Sequence, residues 1–146
     1  MNRSGLNLKN ARQKKQIEVM KKIIEDGVCP FCHDFVDRVT PFYHSKPILL
    51  ENDCWVATEN AWPYKNTDYH FLFVIKRHIL TIEEMTDEER RLFWDILSKV
   101  KNKFDITHST LLMRSDSTNQ TGATVQHLHA QLIVAKKGEK VITRIG

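Results

Sequence analysis

Two histidines and a glutamine alternate along one short apolar segment. Residues 125–134 read VQHLHAQLIV, with His127, His129 and Gln131 at every second position. A β-strand has a side-chain period of two, so these side chains would share one face, with neighbours about 6.5–7 Å apart. A solvent-facing polar edge is the alternative, but surface strands usually carry Thr, Lys or Glu rather than two imidazoles. The pattern therefore indicates a strand face that does chemistry.

A polar loop of small residues precedes this strand at positions 115–124. Gly122 permits close backbone approach, and exposed amides together with the hydroxyls of Thr121 and Thr124 can hold an anion. An imidazole that is neutral near pH 7 and sits beside such a cradle is suited to nucleophilic attack on phosphorus. We therefore expect phosphate chemistry here.

A second candidate site is the pair Cys29 and Cys32. The spacing Cys-x-x-Cys is shared by zinc ligands, redox-active dithiols and, with His33 following, c-type haem attachment sites. A redox dithiol is expected to follow a strand and open a helix, whereas this pair follows a predicted helix and Gly27. Haem attachment normally needs export, and the polar N-terminal residues do not read as a secretory signal. Zinc and a metal-free pair of thiols remain, and zinc would need two further ligands.

Composition limits the possible partners. The chain has 146 residues, a net charge of +4 and no run of 18 apolar residues, which predicts one domain without a membrane span and a cytoplasmic location. The charge favours anionic partners in general. However, acidic residues interrupt the Lys/Arg run that begins with the basic stretch 12–15, so we interpret it as a solvated helix face and not as a nucleic-acid footprint. Cys54 lies alone in an apolar run and is predicted to pack in the core.

Periodicity predicts the elements that must position these residues. An N-terminal helix ending before Gly27 and a longer helix that begins with a capping box formed by Thr86 and Glu89 both show one apolar stripe. The pattern predicts an α+β fold, an antiparallel sheet packed with these two helices. Segment 1–28 would carry the N-terminal helix and 29–146 the rest of one structural domain. The predicted helices are 7–26 and 86–103, and the predicted strands 48–50, 54–57, 70–75, 110–113 and 125–135.

Three segments together resemble the histidine-triad (HIT) superfamily. The sequence HLHAQLI at 127–133 resembles the signature His-φ-His-φ-(His or Gln)-φ-φ, where φ is apolar. The sequence GATVQ at 122–126 is similar to the family's Gly-Gln-Ser-Val-x, and HFLFVIKRHI at 70–79 to its His-x-Leu-Val-Ile-Pro-Lys-x-His-Ile. The resemblance spans roughly residues 29 to 135 and implies a HIT-like nucleotide-binding domain and a homodimer.

The resemblance also implies roles for individual residues. His129, the middle histidine of the signature, would be the nucleophile, and Gln131 in the third place would contact a phosphate oxygen. The other implied nucleotide- and phosphate-binding residues are Asn60 near the family's ribose-binding Asp, the upstream pocket histidine His70, and Gly122, Thr124 and Val125 in the loop.

The same resemblance completes the zinc site. HIT proteins with an N-terminal Cys-x-x-Cys take the other two ligands from the Lys-x-His segment and the first signature histidine, which are His78 and His127 here. His127 would then be structural, while His129 would be reactive. The remaining histidines, His33, His44 and His108, are expected at the surface or behind the site.

Two departures from the family pattern bear on the reaction. Gln131 in the third place resembles the transferase branch, the galactose-1-phosphate uridylyltransferases and dinucleoside tetraphosphate phosphorylases, and glutamine cannot shuttle a proton to a leaving group. Ile75 stands before Lys76 where the family has Pro. The implied function is a hydrolase or nucleotidyltransferase acting on a purine nucleoside phosphate or dinucleoside polyphosphate. The alternative is a nucleotide-binding adaptor that does not turn over.

Overall fold

The fold is centred on a five-stranded antiparallel sheet. A computed structural model describes residues 4–146. The strands are β1 (Ile48–Glu51), β2 (Trp55–Glu59), β3 (Thr67–Ile75), β4 (Thr110–Arg114) and β5 (His129–Ala135), in the order β1-β2-β3-β5-β4. The helices are α1 (Lys14–Asp26), α2 (Asp87–Lys103) and the single turn α3 (Thr118–Thr121), with a π-helical turn at Cys32–Val36 and 3-10 turns at Leu8–Asn10 and Ile82–Glu84. The predicted α+β class and single domain are confirmed.

One face of the sheet forms the main core with α2. Phe71 and Phe73 of β3, together with Leu128, Ala130 and Leu132, are almost fully buried against this helix. Burial of side chains this large is the main source of stability in a domain of this size. Leu128, Ala130 and Leu132 alternate with the polar positions of this segment and contribute to the buried face.

The opposite face of the sheet carries the polar side chains. His129 pairs directly with Arg114 of β4 on one side and with Val74 of β3 on the other. Gln131 lies one step along the same face, opposite Leu72. Cross-strand partners have Cβ atoms about 4.5–5.5 Å apart, so this register alone brings the arginine beside the histidine.

Strand β5 is shorter than predicted, because it begins at His129 and not at Val125. Val125 forms an isolated bridge with Leu6, and the Leu128 N–H donates to the carbonyl of Ile79 at 2.8 Å. The backbone of 125–128 therefore satisfies its hydrogen bonds outside the sheet. His127 precedes the strand, so the predicted shared strand face holds for His129 and Gln131 only.

The N-terminal helix also begins later than predicted, at Lys14 instead of residue 7. Asn7 donates its backbone N–H to Thr124 O at 2.9 Å, and the Asn10 side chain donates to Ala123 O at 2.6 Å. These bonds tie the segment to the loop before β5, and an extended Gln13 separates it from the helix. The first three residues of the predicted segment 1–28 lie outside the described residues.

The C-terminal end of α1 and the N-terminal end of α2 are as predicted from the sequence. Gly27 caps α1 with φ +68°, a left-handed conformation that glycine adopts without strain. Thr86 and Glu89 form the reciprocal capping box at the start of α2. Across residues 4–146, no helix combines the length and apolar character needed to cross a membrane. Within the predicted loop 115–124, the structure also contains the short helix α3.

Removing the Thr86 side chain tests this cap. Thr86→Ala should lower the free energy of unfolding by about 1 kcal/mol, because the Glu89 N–H loses its acceptor at the helix start. Chemical denaturation measures the change. Ser98→Ala, an exposed position on the same helix, should stay within about 0.5 kcal/mol of the parent. Equal stability of Thr86→Ala and the parent would show that the box contributes nothing.

Candidate metal centre and phosphate pocket

Four side chains that can bind a metal ion lie close together, and one of them is the first signature histidine. Cys29, Cys32, His78 and His127 each place one ligand atom within 4.8 Å of all the others. Cys29 Sγ lies 3.4 Å from His127 Nδ1, and Cys32 Sγ lies 3.3 Å from His78 Nδ1. The two imidazole Nδ1 atoms are 3.1 Å apart. The sequence predicted this set of four, and the fold brings all four together.

This arrangement fits a tetrahedral zinc ion. Ligands about 2.0–2.3 Å from zinc at tetrahedral angles are separated by about 3.3–3.8 Å, close to the distances observed. The His127 Nε2 lies 2.6 Å from the carbonyl oxygen of Ile75. A carbonyl only accepts, so Nε2 carries the proton and Nδ1 presents its lone pair to the cluster, the outer hydrogen bond typical of metal-bound histidine.

His129 uses the opposite ring nitrogen. Its Nδ1 lies 2.6 Å from the carbonyl oxygen of His127, so Nδ1 carries the proton and Nε2 is left with a free lone pair. The residue lines a cavity of about 560 Å³. Burial lowers the pKa of His129 below its ordinary value, and the nearby Arg114 adds to this effect. The ring can therefore act as a neutral nucleophile with Nε2 as the attacking atom.

Hydrogen bonds to His70 fix the side chain of Gln131. His70 Nδ1 accepts the backbone N–H of Tyr64 at 3.0 Å, which leaves the Nε2 proton to donate to Gln131 Oε1 at 2.6 Å. The Asn60 side-chain nitrogen lies 3.3 Å from the same Nε2, and its Oδ1 accepts the Trp62 N–H. His70 thus lies behind Gln131, where it fixes the direction of the glutamine amide.

The cavity wall contains most of the predicted nucleotide-binding residues. Gly122 has φ +77°, and Cβ of any other residue there would come within 3.3 Å of Arg144 O. The apolar part of the wall includes Met20 and Ile23 from α1, which sequence reasoning did not assign to a site. The predicted residues that line it are Asn60, Gly122, Thr124, Val125, His129 and Gln131.

Two arginines and a tyrosine in the cavity wall were missed by sequence reasoning. The Arg12 guanidinium lies 4.1 Å above the Tyr64 ring, and Arg114 Nη1 lies 3.4 Å from the Tyr64 hydroxyl. Arg12 was interpreted as part of a solvated basic stretch. Arg114 could be found only from the strand register, which sets it opposite His129. The sequence offered no local signal for either.

His44 also faces this cavity. Its Nε2 lies 3.0 Å from Thr58 Oγ1, and its ring packs edge-on against Phe35 at 5.3 Å between centroids. Burial lowers the pKa of His44 below the ordinary histidine value. It is therefore a neutral wall residue next to the ligand space, half-buried rather than at the surface.

Comparison with known proteins identifies the family. The HIT domain family matches residues 44–138, about two thirds of the chain. The chain belongs to the HIT family. A comparison with curated protein sequences gives no significant match.

Solved structures share the HIT fold at low sequence identity. A HIT family hydrolase from Clostridium thermocellum has a TM-score of 0.58 at 22% identity, covering 79% of this chain and 96% of that one. A histidine triad nucleotide-binding protein from Candida albicans has a TM-score of 0.63 at 17% identity, covering 81% of each. A Zn-bound histidine triad family protein from Mycobacterium smegmatis has a TM-score of 0.59 at 14% identity, covering 81% and 82%.

The HIT match contains only part of the site. His78, His127 and His129 lie inside residues 44–138, whereas Cys29 and Arg12 precede that range. The N-terminal part of the chain therefore adds half of the thiol–imidazole cluster and one cavity-wall arginine, Arg12, to the family's core. These added groups distinguish this site from a minimal HIT domain.

The buried His70 should make folding sensitive to acid. Burial lowers its pKa to about 4, and the charges of Arg12 and Arg114 act in the same direction. The unfolded chain binds the proton at the ordinary pKa near 6.5, so native stability is full above that pH and falls as the pH drops toward 4. Between pH 7 and pH 5 this one group should remove about 2 kcal/mol.

Chemical denaturation of the parent and of His70→Gln at both pH values tests this. The variant should lose about 2 kcal/mol less than the parent over the same interval. Titration of the other histidines, common to both proteins, cancels in the difference. Identical pH dependence of the two proteins would mean that His70 is not held neutral in the folded state.

Proposed function

We propose that this HIT protein binds a nucleotide and cleaves it at the α-phosphate, with His129 as the nucleophile. The observation that carries the proposal is the hydrogen bond from His129 Nδ1–H to the carbonyl of His127. It fixes the tautomer in which Nε2 is unprotonated, inside a cavity large enough for a nucleotide. A nucleophile needs this lone pair and a defined direction of attack.

The reaction proceeds in two displacements. His129 Nε2 attacks the α-phosphorus, a P–N bond forms, and the bond to the leaving oxygen or nitrogen breaks with its electron pair going to the leaving group. In the second step an acceptor attacks phosphorus, the P–N bond breaks, and the imidazole is restored. With water as acceptor the product is a nucleoside monophosphate and a proton is released, whereas another nucleophile gives transfer.

The loop before β5 would hold the α-phosphate. Gly122, Thr124 and Val125 line the cavity next to His129, where backbone amides and the Thr124 hydroxyl can donate to non-bridging oxygens. The Gln131 amide nitrogen is free to donate as well, because His70 binds its oxygen. These donors support the charge that develops on the phosphoryl oxygens during attack.

The nucleoside would occupy the apolar side of the same cavity. Met20 and Ile23 of α1 supply apolar surface, and Asn60 and Trp62 line the same cavity. Such surfaces suit a purine base, which is planar and apolar on its faces. Asn60 is the proposed contact for the ribose, through the side-chain nitrogen that its bond to Trp62 N–H leaves free.

Zinc is the proposed structural cofactor. Its ligands would be Cys29, Cys32, His78 and His127, which fasten the turn after α1 to the segments that flank the sheet. Bound there, zinc would supply cross-linking of distant parts of the chain, as in other closed N/S sites. Because the carbonyl of His127 orients His129, the metal site would also stabilise the nucleophile's position.

Loss of the nucleophile should separate turnover from binding. His129→Ala should reduce turnover by at least about 10³-fold on the best substrate of an adenosine and guanosine nucleotide panel. Nucleotide Kd should change by less than about 3-fold, because the loop and base wall remain. His129→Gly should regain part of its activity when imidazole is added to the assay.

The matched control is His108→Ala, which removes an exposed histidine. This variant should keep the parent's turnover. Mass spectrometry after brief mixing should detect a nucleotidyl adduct on the parent protein and none on His129→Ala. Parental turnover by His129→Ala would overturn the assignment. A panel that binds without any turnover would instead indicate a nucleotide-binding adaptor.

Zinc content can be tested with two cysteine variants. Cys32→Ser should lose most of its zinc and about 4 kcal/mol of stability, the linkage expected when free zinc exceeds its Kd 1,000-fold. Cys54→Ser is the control, because Cys54 is also a free thiol but packs against the core cluster away from the four ligands. It should keep its zinc. Freshly purified protein without zinc by elemental analysis would contradict the proposal.

A further inference from the structure

We propose that Arg12 forms a second anion site in the cavity, one that binds the phosphate of the leaving group, so that the substrates are nucleoside phosphoanhydrides. This inference rests on the proposed function. It selects one chemical class among the phosphoesters, phosphoanhydrides and phosphoramidates that an α-phosphate nucleophile could attack.

Contacts with the Tyr64 and His70 rings connect Arg12 to the strand that carries His129. Its guanidinium lies 4.1 Å from the centroid of the Tyr64 ring, and Tyr64 in turn lies 4.5 Å from the His70 ring. His70 binds Gln131, the neighbour of His129 on the same strand face. Arg12 therefore lines the cavity at the end of a row of contacts that leads to the strand of His129.

Most of the Arg12 donors have no acceptor in the part of the chain that the structure describes. One Nη2–H donates to the Trp62 carbonyl at 2.5 Å, and this is the one side-chain hydrogen bond that Arg12 makes within residues 4–146. A guanidinium has five N–H donors in a planar fork, so four remain for a ligand. That fork matches the oxygens of a phosphate, which can accept two parallel bonds.

The cavity also has an excess of positive charge. Asp34 is the one acidic wall residue among the described residues, and it binds the backbone N–H groups of Tyr43 and His44 and the ring of His33. Among the ion pairs of the described chain, none includes an arginine of the wall. A cavity with this balance favours a ligand that carries more than one negative charge. Its basic wall residues are Lys9, Arg12, Arg114 and Arg144.

Arg114 contributes charge but few free donors. Its Nε donates to Thr121 O at 2.7 Å, and its Nη2 donates to Arg144 O at 2.6 Å and to the Thr143 hydroxyl at 3.2 Å. These bonds hold the guanidinium beside His129 without leaving a fork for a second phosphate. Arg12 is therefore the residue that can bind the additional anion directly.

The neighbours of His129 point to the same class of substrate. Its nearest same-face neighbours on the sheet are Val74, Arg114 and Gln131, and none of them is an acid that can protonate a departing atom at neutral pH. An amine or alkoxide must take up a proton as it leaves. A phosphate leaves a phosphoanhydride with the electron pair of the broken P–O bond as a stable anion, which Arg12 would bind.

Three substrates with the same nucleoside test the proposal. They are diadenosine tetraphosphate, the nitrophenyl ester of adenosine monophosphate, and adenosine phosphoramidate, with the guanosine counterparts run in parallel. The parent should turn over the tetraphosphate with the highest kcat/KM. Arg12→Met keeps the packing on Tyr64 and removes the charge. It should lower the ratio of kcat/KM for the tetraphosphate to that for the ester by about 10- to 100-fold.

Two further variants test whether the shape and the position of the arginine matter. Arg12→Lys should lower the ratio less than Arg12→Met, because a point charge replaces the fork. Arg90→Ala, which removes an exposed arginine from the outer side of α2, should leave the ratio unchanged. Increasing salt should reduce the preference of the parent for the tetraphosphate more steeply than that of Arg12→Met, because the variant keeps only the other basic wall residues.

The outcomes separate this inference from the function it rests on. If none of the three substrates is cleaved by the parent, the proposed function fails. If the parent cleaves them but Arg12→Met leaves the ratio unchanged, or lowers both rates equally, the anion site at Arg12 is wrong while the nucleophile assignment stands. A parent that prefers the phosphoramidate would overturn the substrate class.

Discussion

A single backbone carbonyl, that of His127, links the two chemical halves of this molecule. The residue directs its own ring to the cysteine pair, and its carbonyl accepts the Nδ1 proton of His129. The two histidines hold opposite tautomers, because His127 Nε2 binds the carbonyl of Ile75 while His129 Nδ1 binds that of His127. Any movement of the turn at 125–128 would therefore change both the thiol–imidazole cluster and the direction of the free nitrogen in the cavity.

This turn is held by parts of the chain that are distant in sequence. The bridge between Leu6 and Val125, the bond from Leu128 N–H to Ile79 O, and the side chain of Asn10 on Ala123 O surround it on three sides. Each satisfies a backbone group that the sheet does not reach. The loop is thus rigid without belonging to a strand, which suits donors that must be in place before a phosphate arrives.

The sequence predicted the parts of the fold that depend on local patterns. The capping box at Thr86 and the terminal glycine of α1 are decided by neighbouring residues. The start of β5 was wrong because strict alternation continues back to Val125, while the hydrogen-bond partners of that segment lie in the N-terminal residues and after β3. Periodicity carries no information about such partners.

The site residues also divide into those that local motifs predict and those that depend on the three-dimensional fold. The four cluster residues and His129 were found because motifs fix them, whereas Arg12 and Arg114 depend on packing and register. Arg114 became visible only as the cross-strand partner of His129. The homodimer, the cytoplasmic location and the division at residues 28 and 29 stay predictions.

The segment before α1 has a consequence for how this protein could diversify. It contacts the ligand space through Arg12 and the phosphate loop through Asn10, yet it belongs to no strand and lies outside the matched HIT domain. A substitution at Arg12 changes the ligand space but not the hydrogen bonds of Asn7 and Asn10 that hold the loop before β5. Substrate selectivity can therefore change through Arg12 while the strand that carries His129 stays the same.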